Sequence, residues 1–323
     1  MMLKRQEKTT RGKTAAALQM HTVQRAIELG LSNSREIGDE LTRKALLWCY
    51  RWGWSAPSTL DYLTHQGRCG KAARLQQREL LQAGRVGNWS PDVPRKLLTL
   101  TDSGFIELCR LHDSVSCDLQ DTKIRYNQLL HDYVVQNLAL QLSDSAGLRY
   151  FSGPEIAILG ARHNWKKLPD AIVDNCAIEL ELTPKKEQEI WLACDGLIDL
   201  YLAGKIKSIS IYSTQKPILR KYAERLQRGK RLKRYLLAAN NKTWYADGWT
   251  EKMDFDPPVR YYRIDTRPDF SKKDLTRTHE IYHCSEMMPK ELLSAAKPAT
   301  VANPQRLRQG LKYEGVPDES EYE

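Results

Sequence analysis

The chain has 323 residues, with 50 Lys+Arg against 40 Asp+Glu and a formal net charge of +10. That length excludes a single small binding module and predicts about two globular domains. No apolar run approaches the roughly 18 residues that cross a bilayer, and the start lacks the charged-then-apolar layout of a signal peptide, so the expectation is a cytoplasmic protein with no membrane partner. The seven cysteines are odd in number, scattered and never spaced C-x-x-C, which argues against a disulfide framework or a zinc knuckle and for reduced thiols. The basic balance favours a polyanionic partner, provided the charge is concentrated rather than spread evenly.

In chain order, residues 1–41 read as a basic arm and leading helix, with Lys4, Arg5, Lys8, Arg11 and Lys13 among few apolar residues. Residues 42–112 read as three helices followed by a hairpin, the order of a winged helix-turn-helix. Ala45, Leu46, Cys49 and Tyr50 have helical spacing, and Pro57 opens a second short helix. The third helix is expected over residues 71–82 and stopped by Gly84, with Leu75, Leu80 and Leu81 inward and Lys71, Arg74, Gln77 and Arg78 toward a DNA groove. Residues 85–89 and 96–101 read as the two strands of the wing, with Ser-Pro-Asp-Val-Pro at its tip. A polar connector is followed by an amphipathic helix over residues 125–142 that carries His131.

Residues 113–270 read as one mixed domain, with strands near residues 170–173, 176–182, 208–213 and 260–264 and helices over residues 185–203 and 217–227. The final stretch, residues 271–323, is polar and ends acidic; it reads as a largely disordered tail. The fold class expected is therefore α+β, a winged helix followed by a mixed sheet flanked by helices.

The chemistry concentrates in Leu-Pro-Asp-Ala-Ile-Val-Asp-Asn-Cys-Ala-Ile-Glu-Leu-Glu-Leu-Thr-Pro-Lys-Lys, residues 168–186. In the second strand Glu179 and Glu181 share a face, their Cβ atoms roughly 7 Å apart. If Asp174-Asn175 is a two-residue turn, Val173 pairs with Cys176, Ala171 with Ile178 and Asp170 with Glu179, whose Cβ atoms then lie about 5 Å apart. Three acids so close need a compensating cation, and Mg2+ (or Mn2+) suits an all-oxygen set. Lys185 or Lys186 is placed to neutralise phosphate charge. The competing reading makes Glu179 and Glu181 the wet face of an ordinary strand.

The spacing of Pro169-Asp170, Glu179-Leu180-Glu181 and Lys185-Lys186 resembles the PD-(D/E)XK nuclease signature in its E-x-E form. With the winged helix in front and His131 in Leu-Leu-His-Asp-Tyr-Val-Val, residues 42–213 resemble the replication-relaxation proteins, among them the MobC-type plasmid mobilisation relaxases. The resemblance implies a restriction-endonuclease-like core and a metal-dependent enzyme that nicks one strand of double-stranded DNA at an origin of transfer. It implies metal ligation by Asp170, Glu179 and Glu181, catalytic roles for Lys185 or Lys186 and for His131, and partners comprising the nicked single strand, an accessory mobilisation protein and a conjugative coupling protein. The chain departs from the strict signature in carrying Glu181 where the lysine belongs. Two alternatives remain: a double-strand endonuclease of restriction or transposition type, and a non-catalytic DNA-binding initiator or repressor.

A second basic concentration runs over residues 205–234 and includes Arg220 and Arg231, suited to a DNA backbone. Four tyrosines, Tyr126, Tyr133, Tyr150 and Tyr212, fall in or near the expected core, where packing explains them better than nucleophilic attack does, and water attack at a metal needs none of them. His-Glu-Ile-Tyr-His at residues 279–283 has the i, i+4 histidine spacing of a zinc helix but lies at the edge of the polar tail.

Overall fold

A computed structural model describes residues 34–65, 70–86, 92–112, 115, 119, 124–146, 149–238, 243–267 and 278–282. The basic arm of residues 1–13, residues 87–91 at the hairpin tip and the tail beyond residue 282 lie outside the described residues. The chain is a mixed α/β protein that divides into two compact units, the first comprising residues up to 50, 54–85 and 96–115.

In the first unit, α1 (Ser34–Trp52), α2 (Pro57–His65) and α3 (Lys71–Gln77) precede an antiparallel hairpin, β1 (Leu81–Arg85) and β2 (Lys96–Leu100), and then α4 (Asp102–Leu111). Apolar positions at helical spacing turn Leu46, Leu60, Leu75 and Leu108 into a shared core against Leu97 and Leu98. An isolated bridge from Ser55 to Leu98 adds a third extended segment beside the hairpin. Thr101 caps α4 by accepting from the Gly104 N–H at 2.9 Å. Gly104 is required there, since a Cβ would fall 2.1 Å from the Leu80 carbonyl oxygen.

The hairpin differs from the sequence expectation in register. Helix α3 ends at Gln77, because Glu79 takes a left-handed φ of 58°, and the strand begins at Leu81 rather than at residue 85. Gly84 is inside that strand, paired with Leu97, and is not a helix stop. Periodicity carried the helix too far because Leu80 and Leu81 are buried from either conformation.

The second unit holds the larger sheet. A 3-10 turn (Tyr126–Gln128) leads into α5 (Leu129–Ala146), then β3 (Tyr150–Phe151), α6 (Gly153–His163), β4 (Ala171–Val173), β5 (Cys176–Glu181), α7 (Glu187–Leu202), β6 (Ser208–Ser213) and α8 (Lys216–Ala223). A separate hairpin, β7 (Arg231–Leu237) and β8 (Trp244–Lys252), is followed by β9 (Val259–Ile264) and β10 (Thr278–Tyr282). The main sheet has the order β10-β9-β6-β5-β4-β3; β5, β6 and β9 run parallel, and the other neighbours pair antiparallel. The parallel step from β5 to β6 is spanned by α7, as a crossover requires.

One face of the sheet, with Ala177, Ile209, Ile211 and Tyr261, packs against Ile190, Cys194 and Leu197 of α7 and Leu219 and Tyr222 of α8. Helix α5 packs on β4 and β5. It is buried at every residue from Tyr133 to Leu140, so it is an interior helix rather than the amphipathic one expected. Strand β3, helix α6 and the β7–β8 hairpin were not foreseen, the hairpin because its Arg and Lys density reads as a solvated helix face. The His-Glu-Ile-Tyr-His segment is a strand where described, β10, paired with β9. That removes the helical i, i+4 argument for a zinc site and shows that the polar tail is ordered in part; His283 lies outside the described residues. Among the described residues Cys49, Cys109, Cys176 and Cys194 are free thiols, and no helix is long and apolar enough to cross a membrane.

Candidate functional site

The site is built on the β4–β5 hairpin. Asp174 and Asn175 both have left-handed backbones, φ 47° and 61°, which gives the two-residue turn whose twist suits a tight hairpin. Val173 pairs with Cys176, Ile172 with Ala177 and Ala171 with Ile178, the register expected from sequence. One step beyond, the Asp170 N–H donates to the Ile178 carbonyl at 3.0 Å, which brings Asp170 beside Glu179. The Asp170 carboxylate accepts from the Leu180 N–H at 2.7 Å, so the loop aspartate is pinned to the strand that carries both glutamates.

Glu179 and Glu181 are 0% and 2% exposed. They share with Ala177 the face that packs against α7 and α8, which rules out the wet-face reading of this strand. Burying two carboxylates beside a third is costly unless positive groups answer them. Three do. Lys167 Nζ lies 2.6 Å from Glu179 Oε1, Lys185 Nζ lies 2.6 Å from Glu181 Oε1 and 3.6 Å from Glu179 Oε1, and His131 Nε2 lies 3.2 Å from Asp170 Oδ2. The same His131 nitrogen is 3.2 Å from the Leu180 carbonyl, and Nδ1 is 3.2 Å from Asp132 Oδ1. Tyr222, wholly buried on α8, donates its hydroxyl to Glu181 Oε1, and Ser213 Oγ donates to the Glu181 carbonyl at 2.6 Å.

The electrostatics follow from this packing. Burial and the adjacent Asp170 charge push the Glu179 carboxyl up to about 8, against the pull of Lys167 and Lys185. Asp170 is held below the usual carboxylate range: burial opposes its charge, but His131 and Lys167 outweigh burial. Burial also opposes the His131 imidazolium, yet Asp170 and Asp132 together raise it to about 10. Lys167 stays protonated for the same reason, with Glu179 and Asp170 overcoming desolvation.

Glu179 is close to Lys167, yet neither of its buried oxygens has a partner at hydrogen-bond geometry. The carboxylate oxygens of Glu179, Asp170 and Glu181 are of the donor type a hard divalent cation takes. Among the described residues no three His, Cys, Asp or Glu side chains are gathered as a ready-made metal cage. Two ammonium groups and an imidazole now answer the charge.

Of the residues expected from sequence, Asp170, Glu179, Glu181, Lys185 and His131 come together here. Lys186 does not: its side chain is exposed, and its backbone N–H accepts the capping role, donating to Glu189 at 2.8 Å at the start of α7. Sequence reasoning missed Lys167, whose signal was its position three residues before Asp170, and Tyr222, whose contact is 41 residues from Glu181 and left no local trace. Elsewhere, Arg74, Gln77 and Arg78 are exposed on and just after α3, with Arg78 also 3.2 Å from Glu107. Lys71 is corrected: it turns inward, its ammonium donating to Thr42 Oγ1 at 2.8 Å and the Gly38 carbonyl at 3.1 Å, because position 71 faces the core one turn before Leu75. Arg220 pairs with Glu224 at 2.9 Å on α8, and Arg231 donates to the Thr250 carbonyl at 2.8 Å on β7; both residues are exposed.

No protein-family model, characterised protein or solved structure compared with the chain matches it.

Proposed function

We propose that the protein is a metal-dependent DNA endonuclease that nicks one strand at a plasmid origin of transfer, a relaxase of the MobC type with a PD-(D/E)XK-like core behind a winged helix. The observation that carries this reading is the convergence at one hairpin of buried Glu179 and Glu181 with the partly exposed Asp170, answered by Lys167, Lys185 and His131. Packing alone gives no reason to bury two carboxylates beside a third, whereas metal-dependent phosphodiester cleavage uses such a group.

Asp170, Glu179 and Glu181 would hold Mg2+ (or Mn2+). When bound, the ion supplies charge neutralisation on the phosphate and lowers the pKa of a water. The chain's own residues do the rest. His131 orients Asp170 and ties it to the Leu180 main chain; Tyr222 and Ser213 fix the Glu181 side chain and backbone. Lys185, a third exposed at its side chain, is the cation placed to meet a phosphate oxygen at the rim. Hydrolysis by water needs no tyrosine, and Tyr133 and Tyr212 are buried. In the first unit, Arg74, Gln77 and Arg78 are the residues for duplex contact. The reading carries with it the accessory mobilisation protein and the coupling protein as partners.

A second reading, DNA binding without cleavage, draws on one observation: Lys167 and Lys185 already neutralise the acids. The two separate on supercoiled plasmid carrying the cognate mobilisation region, incubated with the accessory protein and either Mg2+ or EDTA. Open circles in Mg2+ alone are expected, and Asp170→Asn and Glu179→Gln should each lower their yield by at least about 100-fold. Linear product instead would mean a double-strand cutter. Supercoils untouched by wild-type protein that still binds the plasmid would favour the second reading.

A further inference from the structure

Outside the acid cluster, the most unusual surface of the second unit is the β7–β8 hairpin. It forms a sheet of its own, and nearly all of β8 is open to solvent. Its inner side is anchored: Leu232 and Tyr235 are buried, and Arg234 bridges Asp195 and Asp199 of α7 at 2.9 and 2.7 Å. Its solvent-exposed residues are of a different kind. Trp249 is 49% exposed, Tyr245 50% and Leu236 42%, with Leu236 and Tyr245 directly paired across the strands. Trp249 stands edge-on to Trp191 of α7, ring centroids 5.2 Å apart, and the Arg225 guanidinium lies over the Trp191 ring at 4.5 Å. Lys233 pairs across from Trp249.

This cluster is tied to the site. Tyr222, which donates to Glu181, accepts the Arg225 N–H on its own carbonyl at 3.0 Å, so one turn of chain links the acids to the cation on Trp191.

Large aromatic rings left half in water, on a rigid hairpin and interleaved with Arg and Lys, match what an unpaired nucleic-acid strand asks for: π-faces for its bases and cations for its phosphates. A protein partner would equally bury the rings, but the hairpin and the turn before it carry exposed Arg228, Lys230, Arg231 and Lys252 against Asp247 and Glu251, an excess of cations that suits phosphates; Arg225 is paired with Glu187 at 3.3 Å. We infer that the β7–β8 hairpin, with Trp191 behind it, is a base-stacking platform that holds single-stranded DNA beside the acid cluster, gripping the strand freed by the proposed nick.

The inference rests on the nucleic-acid reading above but not on cleavage, so it is tested in EDTA. Full-length protein is titrated into a fluorescein-labelled oligothymidine of about 20 nucleotides and, separately, a duplex of the same length, read by anisotropy. Wild type is expected to bind the single strand. Tyr245→Ala and Trp249→Ala should each weaken that binding about 5- to 100-fold, the effect of losing one stacked base, while duplex affinity changes less than about twofold. Trp249→Phe keeps a ring and should retain most of the affinity. Because Trp249 packs on Trp191, its alanine variant is checked for folding by circular dichroism, and Tyr245→Ala decides the matter if that variant unfolds. Folded alanine variants that bind the single strand as wild type does would overturn the inference. So would a wild type that ignores single strands at low salt, which would assign the rings to a protein partner. If nicking fails while these binding differences appear, the nuclease reading falls and the platform stands.

Discussion

Glu179 concentrates the physical tension of the molecule. It is wholly buried, next to Asp170 in the ladder, and dependent on the Lys167 ammonium for neutralisation. With its carboxyl already raised to about 8 by burial and Asp170, Glu179 takes up a proton once Lys167 is gone, so Lys167→Met should lower the unfolding free energy at neutral pH by about 1–3 kcal/mol. Lys167→Met combined with Glu179→Leu should restore most of it, since neither charge then remains. Urea denaturation reads both, and an unchanged midpoint for the single variant would show that Lys167 does not carry the charge balance. The two lysines after the strand separate by geometry: Lys185→Ala should reduce nicking at least about tenfold, and Lys186→Ala, whose backbone alone caps α7, should leave the rate within about threefold. Lys167 shows where sequence reading stops at this scale. The strict signature placed attention after the strand, and a lysine before Asp170 acquires meaning only once the loop folds back on β5.

At the scale of elements, α7 holds the loop that carries Lys167. Gly196, in the middle of that helix, lets the loop approach so closely that an added Cβ would lie 2.5 Å from Lys167 Cβ and 2.8 Å from its backbone nitrogen. Backbone cannot yield as a flexible side chain does, so Gly196→Ala should destabilise by about 1–3 kcal/mol despite alanine's better helix propensity, and should slow nicking by displacing Lys167. A thermal melt and a rate measurement on the same sample check both; a stabilised, fully active variant would contradict the close approach. The β4–β5 hairpin was legible in sequence because its turn, its alternation and its length are all local signals. So were β6 and most of α7. Helix α3 was read too long because leucines at positions 80 and 81 fit either period, and the β7–β8 hairpin was hidden because its buried Leu232 and Tyr235 are spaced three apart across register shifts rather than alternating. The burial of Glu179 and Glu181 was not legible at all, since helices α7 and α8 that cover them are joined to the strand only by tertiary packing.

At the scale of the whole molecule, the net charge of +10 matters through its distribution. In the proposed reading, duplex binding belongs to the first unit, where Arg74 is exposed on α3 while Lys71 is spent on Thr42 and Gly38. Arg74→Ala should therefore weaken duplex binding and reduce the slope of log affinity against log salt by about one. Lys71→Met should leave that slope intact and lower thermal stability instead; the reverse pattern would place Lys71 on the DNA. A metal-dependent site requires that the three acids take a divalent cation although Lys167 and Lys185 already face them. Calorimetric titration of Mn2+ into metal-free wild type, Asp170→Asn and Glu179→Gln answers this without requiring the DNA site. Saturable binding by wild type, weakened at least about tenfold in both variants, is the expected result. Folded wild type that takes up no Mn2+, or binding that both variants retain in full, would contradict the proposal that these carboxylates form a metal-dependent nuclease site.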